Sequence, residues 1–234
     1  MSQNGRFTLL LGGVLAPTPR LLAQVAGTRA IAADGGMAHA AALRLVPELW
    51  VGDFDSTDSP TEAYFRHIPR ETYPTEKAMT DGEIAIEAAI SRGAQNLILA
   101  GGLGGQTDHA LGNLALLLAL VRRGIPAFAA SGTEEAYPLS PGKLDLALPP
   151  GARLSIIAFS DLEGLDIAGV RWPLTNAAVP MGSTLTLSNA VHGPVIVGSS
   201  AGASSMSHGS VTSCAVVIKL SAGTGIVVAY PGLG

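Results

Sequence analysis

Aspartates at the ends of apolar runs are the residues of this chain best suited to chemistry. The stretch LWVGDFDST, residues 49–57, passes from three apolar side chains through a glycine to Asp53 and Asp55. In an extended segment, residues two apart face the same way, so this pair would present two carboxylates to one point. Two like charges held together are costly unless a cation neutralises them. The pair therefore favours Mg²⁺, which prefers carboxylate, phosphate and water oxygens.

Three further aspartates stand at similar places: Asp34 in AADGG, Asp81 in MTDGE and Asp108 just after GGLGGQT. Ligands of open parallel sheets bind beyond the carboxyl ends of the strands, which makes these positions candidates for a site. The alternative for Asp34 and Asp81 is a helix N-cap, which accepts backbone N–H groups and needs no ligand.

The glycine string ILAGGLGGQTDHALGN supplies the second half of a phosphate site. Glycine turns let backbone N–H groups approach a phosphate, and a helix starting near Asp108 adds a favourable dipole. The string is not a P-loop because it lacks the Gly-Lys-Ser/Thr ending. It is an imperfect dinucleotide fingerprint because Thr107 stands where the third glycine belongs. NAD binding is therefore disfavoured.

Apolar runs and alanine-rich segments alternate up to about residue 132. The strands are predicted in RFTLLLGG, RAIAAD, PELWVGD, QNLILAGG and IPAFAAS, and the helices in PRLLAQVAG, GMAHAAALRL, DGEIAIEAAISRG and HALGNLALLLALVRRG. This alternation predicts an α/β domain with a mostly parallel sheet, residues 1–132. From 133 to 234 helical periodicity is absent and β-branched runs recur: RLSIIAF, STLTLSN, GPVIVG, CAVVIKL and GIVVAY. They predict an all-β sandwich, with residues 199–210 as a long mobile connection.

Composition narrows the class of protein. Of the 234 residues 47% are apolar and 14% charged, a lean surface that favours a homo-oligomer. The formal charge of −4, without a Lys/Arg cluster, argues against nucleic-acid or anionic-membrane binding. The apolar run after Arg6 is broken by Gly12 and Gly13, as in a first strand rather than a secretory signal. The lone Cys214 fits a buried thiol in a reducing compartment, so a cytoplasmic protein is expected.

Four motifs in order resemble the thiamine pyrophosphokinase family. They are DGG at 34–36, GDFDS at 52–56, the Thr-Asp pair at 80–81 and GG-x-GG-x-x-DH at 101–109. GVRWPLTN at 169–176 and GSTLTLSN at 182–189 resemble that family's Trp-containing strand and its Ser-Asn motif. The likeness extends from about Leu9 to Val228.

The resemblance implies transfer of the diphosphate group of ATP to the hydroxyl of thiamine, giving thiamine diphosphate and AMP. It also implies an N-terminal α/β domain, a C-terminal β-sandwich, and a homodimer with active sites between the subunits. Residues expected to gather Mg²⁺ and the ATP phosphates are Asp53, Asp55, Asp81 and Asp108. Nucleotide contacts are expected at Asp34, Gly35, Gly36, Ser56, Thr80, Gly104, Gly105, Gln106 and His109. Thiamine contacts are expected at Trp172, by ring stacking, and at Ser188 and Asn189.

Two departures from the family's pattern concern the phosphate site. Ala78 replaces an aspartate in KD-x-TD, and Gln106 replaces an arginine in GG-R-x-DH. Glutamine cannot form charge-assisted bidentate bonds to phosphate, a loss that Lys77 partly offsets. The rival functions are another nucleotide-dependent phosphotransferase or hydrolase, and a non-catalytic thiamine- or nucleotide-binding protein. For single residues the alternatives are a core position for Trp172 and a helix-start role for His109.

Overall fold

The computed structural model describes residues 5–54, 59–74, 78–193 and 213–232. The chain divides into two compact units, one ending at Pro138 and one beginning at Leu139. They are called the α/β unit and the β unit below. The boundary placed after residue 132 stays a prediction; it falls in the turn between two strands of the α/β unit.

The α/β unit contains seven strands and four α-helices among its described residues. The strands are β1 (Arg6–Leu10), β2 (Arg29–Ala33), β3 (Leu49–Gly52), β4 (Arg70–Thr72), β5 (Asn96–Ala100), β6 (Ala127–Ala130) and β7 (Glu135–Leu139). The helices are α1 (Pro19–Val25), α2 (Ser59–Tyr64), α3 (Asp81–Ser91) and α4 (Thr107–Arg122), and a 3-10 helix spans Asp34–His39. The strands are ordered β7-β6-β5-β1-β2-β3-β4, and all neighbouring pairs are parallel except β6 with β7.

Strand β1 lies at the centre of this order and fixes where ligands can enter. The chain builds β2, β3 and β4 on one side of β1, then returns to build β5 and β6 on the other. The carboxyl ends of β1 and β5 therefore flank a topological switch point, where α/β sheets bind their ligands. Residues 7–10 of β1 are buried and pair with both neighbouring strands, so the carboxyl end of β1 is held firmly in the sheet.

The helix starts have clear local causes. Helix α1 has Pro19 in its first turn, and the Thr18 side chain caps it by accepting a hydrogen bond from the Leu21 N–H. Helix α4 ends before Gly124, whose φ of 73° suits the left-handed conformation that commonly closes a helix.

A buried polar network ties α1 to β7. Glu135, only 2% exposed, accepts hydrogen bonds from Arg20 Nε at 2.6 Å, from Gln24 Nε2 at 2.7 Å and from the Tyr137 hydroxyl. Burial raises the pKa of Tyr137, so its hydroxyl stays protonated and donates to the carboxylate. Because Arg20 also donates through Nη2, four hydrogen bonds from three side chains compensate the desolvation of this buried carboxylate.

Within the β unit the strands pair antiparallel in two orders, β12-β9-β14 and β11-β10-β13-β8. The strands are β8 (Gly142–Leu148), β9 (Arg153–Ala158), β10 (Leu162–Ala168), β11 (Leu174–Val179), β12 (Asn189–Ala190), β13 (Cys214–Leu220) and β14 (Gly225–Tyr230). Burial alternates along β8 and β13, as expected of strands with one face toward a core. The predicted fold class, an α/β domain followed by a β-sandwich, is confirmed.

Several predicted elements need correction. The segment GMAHAAALRL forms the end of the 3-10 helix and turns rather than an α-helix, and the positive φ of 56° at Arg44 stops any helix from continuing there. In STLTLSN only Asn189 is in a strand; the preceding residues are turns or lack regular structure. The strands β4, β7, β8, β10 and β11 and the helix α2 were not predicted.

Two predicted features lie outside the described residues: the strand GPVIVG, apart from its first residue Gly193, and the connection at residues 199–210. Cys214 is a free thiol, partly buried at the start of β13. No helix in the described ranges is long and apolar enough to cross a membrane.

Candidate active site

A cavity of about 1150 Å³ lies in the α/β unit at the carboxyl ends of its central strands. Its walls include the residues that follow β1 (Gly12 and Gly13), β2 (Asp34 and Gly35) and β3 (Asp53). The turn after β5 and the first turns of α3 and α4 complete them. This is the switch point flanked by β1 and β5, so the position agrees with the rule for open parallel sheets.

Close backbone approach at this edge depends on glycine. A Cβ on Gly13 would lie 2.3 Å from the Gly101 carbonyl oxygen, and one on Gly101 would lie 2.4 Å from that of Leu11. Beneath them, a Cβ on Gly36 would lie 2.1 Å from the Leu10 carbonyl oxygen. Such distances are far below van der Waals contact, so a side chain is excluded at each of these three positions in the segments after β1, β2 and β5.

Two side chains hold carbonyl groups of the glycine turns. His39 Nε2 donates to the Gly13 carbonyl oxygen at 2.9 Å, and Asn113 Nδ2 donates to that of Gly102 at 3.0 Å. These hydrogen bonds engage the carbonyl oxygens of turns that border the cavity. His39 belongs to the 3-10 helix and Asn113 to α4, so these two elements hold the glycine turns in place.

Asp34 lies in an uncommon backbone conformation at the end of β2. Its φ is 40°, a value that non-glycine residues adopt rarely and that marks a position held by its surroundings. The Trp50 indole N–H donates to the Asp34 carbonyl oxygen at 2.9 Å, and a Cβ on Gly52 would lie 3.1 Å from the Asp34 Cα. Residues of strand β3 thus hold the main chain of Asp34, and Asp34 lines the cavity.

Asp53 follows β3 directly and lines the cavity. The next residue, Phe54, has a φ of 62°, so the extended geometry assumed for Asp53 and Asp55 does not hold there. Asp55 and Ser56 lie outside the described residues, and their predicted roles stay predictions.

The starts of α3 and α4 bring Asp81 and Asp108 to the same cavity. Thr80, not Asp81, caps α3 by accepting a hydrogen bond from the Glu83 N–H at 3.2 Å. Asp34 is likewise not an N-cap, because it is the first residue of the 3-10 helix and Ala33 precedes it as the cap. The N-cap alternative is therefore excluded for both aspartates.

At α4, Asp108 Oδ1 accepts a hydrogen bond from the His109 N–H at 2.9 Å. Gln106 occupies the N-cap position without a side-chain capping hydrogen bond. Gln106, Asp108 and His109 are exposed and line the cavity.

The charge of the cavity is one-sided. Five carboxylate residues line it, namely Asp34, Asp53, Asp81, Glu83 and Asp108, and no Lys or Arg stands among its described lining residues. A polyphosphate entering such a cavity alone would face uncompensated repulsion. The first turns of α3 and α4 offset part of this charge, because a helix N-terminus carries partial positive charge. The described lining therefore carries an excess of negative charge.

Most predicted nucleotide residues of the α/β unit meet at this cavity. Asp34, Gly35, Thr80, Gly104, Gly105, Gln106 and His109 line it. Gly36 does not line it; it is buried against β1.

The sequence patterns did not identify Gly12, Gly13, His39 and Asn113. Gly12 and Gly13 follow a predicted strand as DGG and GGLGG do, and His109, Gly112, Asn113 and Leu116 recur at the 3- and 4-residue spacing of one helix face.

The predicted thiamine residues lie together in the β unit. Trp172 is 54% exposed, which excludes a core position within that unit, and the Arg171 guanidinium carbon lies 4.8 Å from its ring centroid. Ser188 is exposed, has a φ of 59°, and its N–H donates to Ser155 Oγ at 3.0 Å. Asn189 is buried and hydrogen-bonded to the main chain of Trp172.

Comparisons with known proteins agree with this reading. The model of the thiamin pyrophosphokinase catalytic domain matches residues 23–129, and that of the thiamin pyrophosphokinase vitamin B1 binding domain matches residues 143–202. The thiamine pyrophosphokinase of Bacillus subtilis (strain 168) is 32% identical over 152 residues, and the match covers 62% of this chain and 70% of that protein.

Solved structures show the same fold. A crystal structure of Bacillus subtilis thiamine pyrophosphokinase aligns with a TM-score of 0.78 at 21% identity, covering 97% of this chain and 100% of that one. The Geobacillus thermodenitrificans enzyme aligns with a TM-score of 0.74 at 23% identity, covering 96% and 97%. The Candida albicans enzyme gives 0.75 at 12% identity, covering 97% and 90%. The family models and the 32% identical relative show that this chain belongs to the thiamine pyrophosphokinase family of enzymes.

Proposed function

We propose that this protein transfers the diphosphate group of ATP to the hydroxyl group of thiamine, forming thiamine diphosphate and AMP, and that the reaction depends on Mg²⁺. The observation that carries the proposal is the glycine-walled, carboxylate-lined cavity at the switch point of the α/β unit. Family membership supports pyrophosphoryl transfer to thiamine.

The carboxylates fit Mg²⁺ as shared ligands rather than as a closed cage. In the described ranges no group of three His, Cys, Asp or Glu residues is gathered closely enough to hold a metal ion. Mg²⁺ commonly takes only one or two protein carboxylates and completes its shell with water and substrate phosphates. Asp53, Asp81 and Asp108, with Asp55 beyond the described residues, are the proposed ligands. The ion would neutralise charge on the transferred group and the leaving phosphate.

The chain's own groups position the nucleotide. Main-chain N–H groups of Gly12, Gly13, Gly104 and Gly105 are proposed to approach the phosphates, because glycine leaves no Cβ in the way. The N-termini of α3 and α4 add favourable dipoles. The hydroxyl oxygen of thiamine forms a bond to the β-phosphorus as the bond from that phosphorus to the bridging oxygen of the α-phosphate breaks; AMP leaves with the bridging oxygen, and the hydroxyl proton passes to water. Positioning and charge neutralisation dominate such transfers, so we assign the aspartates to metal binding before base catalysis.

Trp172 and Ser188 are the proposed thiamine contacts. Trp172 exposes a large flat ring, which can stack on a heteroaromatic ligand. Ser188 is exposed and directly precedes Asn189, whose side chain hydrogen-bonds the Trp172 main chain.

We also propose that the protein is a cytoplasmic homodimer. Beside Trp172, the β unit exposes three large apolar side chains, Met181, Leu185 and Leu187, which a second copy would cover. Light scattering after size-exclusion chromatography measures the mass; a monomer at micromolar concentration contradicts the homodimer.

The test of function is a product assay. Purified protein with ATP, Mg²⁺ and thiamine should form AMP and thiamine diphosphate in equal amounts, and EDTA should stop both. ADP as the product would indicate an ordinary kinase, and inorganic phosphate or diphosphate without thiamine diphosphate a hydrolase. Thiamine binding without any product would indicate a non-catalytic binding protein.

A further inference from the structure

We infer that Asn189 acts as a positioning residue that fixes the main chain of Trp172, rather than as a direct ligand of thiamine. The inference rests on the proposed role of Trp172 in stacking on thiamine. The hydrogen bonds that carry it do not depend on that role.

Asn189 uses both ends of its side-chain amide on one neighbouring residue. Its Nδ2 donates to the Trp172 carbonyl oxygen at 2.8 Å, and its Oδ1 accepts from the Trp172 N–H at 3.1 Å. The same Oδ1 also accepts from the Ala190 N–H at 2.9 Å. The amide thus pairs with Trp172 as a peptide group of a neighbouring strand would.

This pairing continues a short antiparallel contact beyond the point where the main chain can supply it. Val170 and Val191 form a bridge, and the Arg171 N–H donates to the Ala190 carbonyl oxygen at 2.8 Å. At Trp172 the side chain of Asn189 takes the place of the main chain. Pro173 follows and has no N–H, so the contact cannot extend further in the same way.

Burial makes a second role for the amide costly. Asn189 is 6% exposed, whereas Trp172 is 54% exposed. If Asn189 turned toward a ligand, the N–H and carbonyl groups of Trp172 would lose their partners. An exposed ring has little packing to hold it, so its position depends on the main chain beneath it. Fixing that main chain before binding lowers the entropy cost of stacking.

The experiment compares Asn189→Ala, Trp172→Ala and the double variant, each assayed for the KM of thiamine, the KM of ATP and kcat. We expect Asn189→Ala to raise the thiamine KM about 10-fold with the ATP KM unchanged, a loss of preorganisation. In the Trp172→Ala background the same substitution should add less than 2-fold, because residues that act through one another are non-additive. Full additivity, or an unchanged thiamine KM in the single variant, would overturn the inference.

Fluorescence provides a readout that does not need thiamine. Trp50 is fully buried, so acrylamide quenching of the native protein reports mainly on Trp172. Asn189→Ala should increase quenching and lower the emission anisotropy as the Trp172 segment loosens; unchanged values would contradict positioning. If Trp172→Ala leaves the thiamine KM unchanged, the proposed thiamine site fails, while the quenching result still decides the role of Asn189.

Asn189→Asp is a second variant for the case that Asn189→Ala does not fold. It keeps the shape and the acceptor of the side chain but loses the donor to the Trp172 carbonyl oxygen. The same quenching and KM changes are expected, and their absence would overturn the inference. Thermal unfolding and the ATP KM confirm that each variant is folded.

Discussion

The cavity of the α/β unit and the Trp172 segment of the β unit are built by opposite means. In the turns that form and support the cavity, side chains are absent where main chains meet: Gly13, Gly36 and Gly101 leave no room for a Cβ. In the Trp172 segment, one buried side chain, that of Asn189, supplies the contacts. The cavity should therefore be damaged by added atoms and the Trp172 segment by removed ones. The cavity is lined by carboxylates and is the proposed site of Mg²⁺, whereas the Asn189 amide pairs with Trp172 within the chain.

Adding one carbon at Gly36 is the most severe change. Gly36→Ala places a Cβ 2.1 Å from the Leu10 carbonyl oxygen, in the main chain of a central strand that cannot shift. We expect a loss of roughly 3 kcal/mol in the free energy of unfolding, the upper part of the range for overpacking. Urea unfolding followed by circular dichroism measures it.

Gly112→Ala is the matched control. Gly112 lies inside α4, and a Cβ there meets nothing within 4 Å. Alanine should stabilise this helix by up to about 1 kcal/mol. If both variants unfold alike, close backbone approach is not what requires glycine at Gly36.

Neutralising Asp53 tests the charge of the cavity without changing its shape. We expect Asp53→Asn to lower kcat/KM about 100-fold, a loss typical of one group that stabilises charge in the transition state. Stability should change little, and the Mg²⁺ concentration for half-maximal rate should rise. Steady-state kinetics at several Mg²⁺ concentrations provide the measurement.

The control for this variant is Asp145→Asn on β8, an exposed carboxylate paired with Lys143 at 2.8 Å. It should keep full activity. An Asp53→Asn variant as active as this control would contradict the metal role of Asp53.

Removing the Trp172 ring tests the second region. Trp172→Ala should raise the thiamine KM about 10-fold or more, since stacking on an aromatic side chain contributes about 1–3 kcal/mol. The ATP KM should stay the same, because the cavity lies in the α/β unit. Trp172→Phe, which keeps an aromatic face, should have a thiamine KM between those of the native protein and Trp172→Ala. Equal weakening of thiamine and ATP would instead indicate a structural tryptophan.

The smallest expected effect concerns the departure at Gln106. Gln106→Arg adds a guanidinium to a cavity without a described Lys or Arg, where it can bind a phosphate group. We expect the ATP KM to fall about 3-fold, the modest gain of an exposed ion pair. Gln106→Met, of similar length without charge, should not lower it. A lower KM in both variants would point to packing rather than charge.

Local patterns predicted the elements that carry the α/β site. The predicted strands became β1, β2, β3, β5 and β6, because apolar runs bounded by glycine are a local signal. Asp34, Asp53 and Asp108 were placed correctly at strand ends or helix starts for the same reason. The pattern failed at Phe54 and in STLTLSN, where a positive φ and turns interrupt apparent strands.

The contacts that give the site its shape could not be read in this way. Trp50 holds a carbonyl group 16 residues away, and Asn189 holds one 17 residues away. A buried tryptophan and a Ser-Asn pair look the same in sequence whether they bind a ligand or the main chain.

The sequence by itself determined the family, the central strands and the main helices of the α/β unit, and the excess of acidic residues at the chain positions that follow strands. These properties depend on residue type and on neighbours a few positions away. Only the tertiary structure decided which glycines meet, that Asp34, Asp53, Asp81 and Asp108 line one cavity, and that the Asn189 amide binds Trp172. The physical reason is that these features depend on which strands lie side by side and on which donors face which acceptors, and both are fixed only when distant segments pack.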